Sequence, residues 1–262
     1  METAIHVYFT ATSHLVRTLQ TGLGQSIIGY KLCPVNQEHL YVFTSTGCVS
    51  KWEWTTGKQV SHSNTSHKTI AIDFGFDAFE SETPTSFYSL CERKDGKREI
   101  RMFTLGEENF AVILKTNLRI NHMRVAQQNR TIVAYGGHNV LFGSANSSGP
   151  DGAEHARYTW RETTLPVSIT CLDIRENTRG LQEPQNRNVP DQLAFVIGEA
   201  GGSILIYQDV LSFLVSNEEN RNSEKNFAPR RLHWHRGPVT ALSWSRDGKS
   251  PHGKWIWEEP QC

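Results

Sequence analysis

The sequence holds no apolar run long enough to cross a bilayer. Its longest, such as SILIY at 203–207 and IIGY at 27–30, fall far short of the roughly 20 residues a membrane helix needs. Nor does METAIHVYFTATSHLV carry the cationic start and apolar core of a signal peptide. The N-x-S/T triplets at Asn64, Asn129 and Asn146 therefore read as chance matches in a chain rich in Ser, Thr and Asn. Cysteine is sparse: Cys33, Cys48, Cys91, Cys171 and Cys262 are odd in number, widely spaced and never arranged as CxxC. That spacing argues against a disulfide framework and against a zinc site, both of which show close, paired ligands. Charge of one sign is lacking too, since 27 Lys and Arg balance 27 Asp and Glu. Bulk charge gives no drive toward nucleic acid or an acidic membrane, so such contact has to come from a local patch. No GxSxG, HExxH, GxxxxGKS/T or GxGxxG occurs, which removes the commonest hydrolase, zinc-protease and nucleotide-binding frames. These absences describe a soluble intracellular protein with reduced thiols. They leave no reason to expect an enzyme, a cofactor, a metal, a membrane contact or a small-molecule substrate.

What is present is a succession of short runs rich in β-branched and aromatic residues. HLYVFTS (39–45), CVSKWEW (48–54), TIAIDFGF (69–76), SFYSLCE (86–92), TIVAYGG (131–137) and QLAFVIG (192–198) are examples, separated by Gly, Asn, Asp and Pro. No segment holds a helical apolar stripe for three turns; VLSFLVSNEE at 210–219 comes nearest. Such a pattern predicts an all-β sandwich, barrel or propeller. Asp95-Gly96 and Gly201-Gly202 suit tight hairpins that need positive φ. The runs also group at a period of about 40–50 residues, the period of four-stranded propeller blades. Polar insertions at 146–157, 177–191 and 216–230 read as loops carried by individual units, the last with the composition of a disordered segment.

Two stretches resemble the halves of a WD40 repeat. HRGPVTALSWSRDGK, from His235 to Lys249, matches the opening half through His235, Val239, Leu242, Trp244, Ser245, Asp247 and Gly248. HLYVFTSTGCVSKWEWTTGKQV, from His39 to Val60, matches the closing half, with Trp52-Glu53 in the place of Trp-Asp. The residues also have a reading of their own. Asp247-Gly248 suits a turn, and the bulk of Trp52 suits packing between adjacent sheets. In WD proteins this Trp shares a buried hydrogen-bond network with a His and an Asp. The resemblance therefore makes Trp52, Glu53, His235, Asp247 and Gly248 a structural motif of the scaffold.

On this basis the expected fold is a partial WD40 β-propeller over residues 1–249, followed by a divergent tail at 250–262. IHVYFTAT and HLVRTLQ supply the third and fourth strands of a first blade. Full blades follow at 26–62, 69–117, 119–165 and 168–209, with the RRLHWH segment as outer strand of the last. A further blade begins at Pro238, and SPHGKWIWEEPQC does not supply its next strand. Open ends of this kind imply a piece of a longer chain, or completion by a partner chain.

A narrower resemblance rests on IHVYFTATSHLVRTLQ, the Trp52 blade and the RRLHWHRGPVTALSWSRDGK junction. These are similar to the amino-terminal propeller of a WD-repeat family, the fungal Net-one-associated nuclear proteins. Members are U-three-snoRNA-associated subunits of the t-UTP (UtpA) subcomplex. The resemblance implies a non-enzymatic nucleolar scaffold of the small-subunit processome, supporting pre-18S rRNA processing and RNA polymerase I transcription. Its partners would be other t-UTP subunits, processome proteins, and pre-rRNA or snoRNA. A WD adaptor in another complex, such as a ubiquitin ligase or a chromatin enzyme, is the alternative class.

Two basic clusters are the candidate contact sites for RNA or a partner. ERKDGKREIR carries Arg93, Lys94, Lys97, Arg98 and Arg101 against three acids. The second cluster comprises Arg230, Arg231 and Arg236, with Arg221 and Lys225 upstream. Phosphate contact needs only positive charge within reach, although a solvated hairpin end looks the same. Trp234 is more at home in the core than in base stacking. His233 and His235 share one face of an extended strand without further ligands nearby, and His62 and His67 read as surface residues.

Overall fold

In the computed structural model every described element is a β-strand, twenty in all. The structure describes residues 3–22, 25–33, 36–64, 68–75, 86–104, 110–126, 131–145, 158–176, 193–208, 229–233, 236–244 and 251–254. β1 (Ala4–Phe9) and β2 (His14–Gln20) form a two-stranded sheet. Four four-stranded sheets follow, each in sequence order. The first contains β3 (Ile27–Leu32), β4 (His39–Thr44), β5 (Cys48–Glu53) and β6 (Lys58–Asn64). The second contains β7 (Thr69–Asp73), β8 (Ser86–Glu92), β9 (Arg98–Thr104) and β10 (Phe110–Thr116). The third contains β11 (His122–Ala126), β12 (Thr131–Gly136), β13 (Asn139–Ala145) and β14 (Tyr158–Thr164). The fourth contains β15 (Ile169–Glu176), β16 (Leu193–Glu199), β17 (Ser203–Tyr207) and β18 (Arg230–His233). β19 (Ala241–Trp244) and β20 (Pro251–Lys254) form a final pair. The chain is thus all-β, in antiparallel sheets grouped by fours as the runs and turns of the sequence predict.

One expectation is corrected. The segment after Lys249 does supply a strand: Pro251–Lys254 pairs with β19 from Trp244↔Pro251 to Ala241↔Lys254. A ladder is made of backbone groups, so tertiary context recruits a segment of low strand propensity. Pro251 occupies the first strand position, where its missing donor is tolerated. The three polar insertions up to residue 228, the VLSFLVSNEE segment, His67, Trp234, His235, Asp247 and Gly248 lie outside the described residues.

The four-stranded sheets repeat one another in detail. The turn between second and third strands holds a glycine of positive φ each time, Gly47, Gly96, Gly137 and Gly202, at 85°, 77°, 56° and 82°. Only glycine adopts these angles without a Cβ penalty. Three of the first strands carry an irregularity just inside their start, at Ile27/Gly29, Thr69/Ala71 and Ile169/Cys171. At three of the junctions a backbone N–H at the start of one sheet reaches the preceding sheet: Thr69 to Ser45 O at 2.9 Å, Ile169 to Gly137 O at 2.7 Å, and Val239 to Glu199 O at 3.2 Å. Two carboxylates tie first strands of adjacent sheets. Asp73 of β7 accepts from Val125 N of β11, and Asp173 of β15 accepts from Trp244 N of β19, both at 2.8 Å.

The chain divides into two compact units, Met1–Thr131 with Ser147–Arg157, and Ile132–Asn146 with Tyr158–Cys262. In the first, Leu19 packs on Leu40, Val42 and Trp52, while Tyr41, Phe43 and Val49 meet Ile72, Phe74 and Phe87. In the second, Val196, Ile204 and Ile206 pack on Val239, with Leu242 and Trp244 against them. The approach there is close enough that a Cβ on Gly198 would lie 2.6 Å from Cys171 Sγ and 2.8 Å from Val239 Cβ. β12, β16 and β17 are buried along their whole length because they are covered on both faces. Their near-continuous apolar sequences follow from that.

Candidate functional site

Trp52 and Glu53 close β5, and each has a local structural job. The buried Trp52 ring packs on Leu19, Leu40 and Val42, and its indole N–H donates to Ser50 Oγ at 2.8 Å. Glu53 accepts from the Thr56 hydroxyl at 2.6 Å, and its carbonyl accepts from Gly57 N at 2.8 Å, which shapes the β5–β6 turn. His235, Asp247 and Gly248, the rest of the motif, lie outside the described residues.

The first basic cluster forms the β8–β9 turn. Gly96 N donates to Arg93 O at 3.0 Å and Lys97 N to Asp95 Oδ1 at 3.2 Å, so the turn is tight. The arginines do not project freely. Arg98 pairs with Glu92 at 3.0 Å and donates through Nε to Ile120 O at 3.1 Å; its side chain is 14% exposed. The Arg98 hydrogen bond, followed by its charge, holds the Glu92 carboxyl below the ordinary carboxylate value. Arg93 lies 3.4 Å from Asp95 and 3.8 Å from Glu99. Arg101 pairs with Glu99 at 3.0 Å and covers the Phe110 ring. Lys94 and Lys97 are exposed and carry no ion pair among the described residues.

The second cluster is exposed but split by pairing. Arg230 and Arg236 are exposed. Arg231 instead reaches Glu199, whose carboxylate is wholly buried, at 2.7 Å. Nearby, Tyr207 stacks on Phe195 with ring centroids 4.6 Å apart. Burial, then the Glu199 charge, push the Tyr207 phenol up to about 12, and Arg231 opposes them. An acid inside the apolar run LAFVIGE was the available sequence signal for this group.

The shifted phenol has a consequence for stability. Between its ordinary value of 10 and about 12, the unfolded chain ionises the phenol while the folded chain keeps it neutral. The stability from this group is whole below pH 10 and is lost as pH rises through that window. Tyr207→Phe is expected to shrink the alkaline loss, checked by urea midpoints at about pH 9 and about pH 11. Identical alkaline losses in variant and parent would refute it.

Cys33, Cys48 and Cys91 are buried free thiols, and Cys171 is a half-buried one. Burial pushes the Cys48 and Cys171 thiols up. Among the described residues no three His, Cys, Asp or Glu side chains converge as metal ligands. Neither models of known protein families nor curated proteins match the chain.

Proposed function

We propose that the chain is part of a WD-repeat β-propeller serving as a non-enzymatic scaffold of the nucleolar small-subunit processome. In that role it supports pre-18S rRNA processing and RNA polymerase I transcription. The observation that carries the propeller reading is the recurrence of one arrangement from sheet to sheet. A positive-φ glycine sits in the same turn of all four four-stranded sheets, and at three junctions the same backbone bond ties the start of one sheet to the preceding one. Trp52, buried at the end of a third strand, supports the WD assignment. The process and compartment rest on the likeness of the Ile5–Gln20, His39–Val60 and Arg230–Lys249 stretches to the t-UTP family.

The test is affinity purification of the tagged protein from its own cells. U-three snoRNA and t-UTP subunits are expected in the eluate, and depletion is expected to raise unprocessed precursor rRNA. Recovery of ubiquitin-ligase or chromatin-enzyme subunits, with normal precursor rRNA on depletion, would transfer the chain to the adaptor class.

A further inference from the structure

We infer that one end of the β7–β10 sheet is an RNA-binding surface that holds the phosphate backbone by charge. The choice of RNA among polyanions rests on the scaffold reading above, whereas the surface itself rests on the strand register. Thr69 lies opposite Cys91, Glu92 opposite Arg98, and Thr116 opposite Arg98 on the other side. The start of β7, the β8–β9 turn and the end of β10 therefore meet at one end of the sheet. The bond from Arg98 Nε to Ile120 O anchors the connection between β10 and β11 at the same end.

This end gathers cations from four separate stretches. Lys68 comes from just ahead of β7, Arg93, Lys94 and Lys97 from the turn, and Arg98 from the start of β9. Lys115 follows from the end of β10 and Arg119 from the connection. Among the described residues at this end, only Glu92, Asp95 and Glu99 oppose these seven cations, leaving a net charge of +4. The three carboxylates are already occupied. Glu92 is bound by Arg98 and lies 3.9 Å from Lys68, Asp95 faces Arg93, and Glu99 faces Arg93 and Arg101. Lys94, Lys97, Lys115 and Arg119 are exposed with no ion pair among the described residues. The sequence partitions in the same sense. No Asp or Glu occurs from Asn109 to Pro150, whereas the connections after β7 and β9 carry Asp77, Glu80, Glu82, Glu107 and Glu108 with no Lys or Arg.

A phosphate backbone is favoured over an acidic peptide because of what surrounds the charge. Peptide recognition is dominated by a few buried apolar or aromatic anchors, whereas backbone contact needs cations at the spacing of phosphates. The exposed large apolar residues of this sheet, Phe110 and Val112, stand toward the opposite end of β10, beside Phe103 and Arg101. Next to the cations lie the polar Asn117 and Asn121 and the imidazole of His122.

The experiment uses the full chain and a fluorescent single-stranded RNA of mixed sequence. Anisotropy titrations are run across a salt series for the parent and for Lys94→Glu/Lys97→Glu/Arg119→Glu. Binding at low salt is expected to weaken about tenfold or more, with the log–log salt slope shallower by about 2, as for three lost contacts. A charge-matched variant on exposed positions outside both basic clusters, Thr10→Glu/Thr12→Glu/Lys58→Glu/Gln59→Glu/Ser61→Glu, changes the net charge by the same six units and is expected to lose much less. Equal losses in the two variants would mean net charge alone is at work, and absent binding by the parent at low salt would also overturn the surface. Tighter binding of a polyglutamate peptide than of RNA at the same lysines would replace RNA by an acidic protein partner. None of these outcomes touches processome co-purification, so the two readings fail separately. Far-ultraviolet dichroism of each variant confirms that the side chains were removed from a folded sheet.

Discussion

Phe74→Ala is expected to destabilise the protein by about 3–5 kcal/mol, the range for deleting a large buried aromatic. The side chain is fully buried at the junction of the β3–β6 and β7–β10 sheets. Its ring meets Phe87 at 4.9 Å, Tyr41 at 5.0 Å and Phe43 at 5.7 Å, all edge-on, and Lys31 Nζ sits 5.0 Å from its centroid. Edge-to-face pairs add to area burial, so the loss exceeds simple transfer of a benzyl group. Strands packed from both sides cannot collapse into the space left behind, which adds a cavity term. Urea unfolding followed by tryptophan fluorescence measures the effect, since Trp52 and Trp54 lie in the neighbouring cluster. The midpoint is expected to fall by on the order of 1–2 M. A shift of only a few tenths would mean that the aromatic junction is not a keystone of the first unit.

Much of this architecture was legible in the sequence. The runs around Tyr41, Tyr88, Ile132 and Ile197 are apolar almost without a break because those strands are covered on both faces. Asp95-Gly96 and Gly201-Gly202 marked two hairpins, and Gly96 and Gly202 do hold positive φ. Gly47 and Gly137 have the same role without so clear a dipeptide signal. Sequence could not separate Arg98 from Lys97, its neighbour. Successive strand residues point to opposite faces, and which of them meets Glu92 and the Ile120 carbonyl depends on a register and a crossing connection far along the chain. For the same reason Lys115 and Arg119, about twenty residues downstream of the turn in sequence, gave no local hint that they share its end of the sheet. The pairing of Pro251–Lys254 was hidden by low intrinsic propensity.

Polar residues inside apolar runs were the least legible, and Asp73 is the instructive case. In TIAIDFGF it reads as a defect in a strand. Its carboxylate instead accepts from Phe74 N at 2.9 Å, from Val125 N at 2.8 Å and from Lys31 Nζ at 2.7 Å, while the residue is 3% exposed. Asp173 holds Trp244 N in the same way, so the carboxylate is a repeated tie between the first strands of adjacent sheets. Asp73→Ala removes the acceptor of two N–H groups and the carboxylate paired with Lys31, whose ammonium keeps the Phe74 carbonyl. Breaking a buried pair costs about 3–5 kcal/mol, but the Lys31 side chain is 31% exposed and partly solvated, so about 2–4 kcal/mol is expected. Lys31→Met separates the tie from the ion pair, because it leaves both N–H bonds to Asp73 intact; it strips a buried carboxylate of its cation, so it too is expected to cost about 3–5 kcal/mol. Hydrogen exchange at the Val125 amide provides the local readout. Its protection is expected to drop sharply in Asp73→Ala and to persist in Lys31→Met. If the two substitutions leave Val125 equally protected, the ion pair stabilises this junction and the strand-to-strand tie does not.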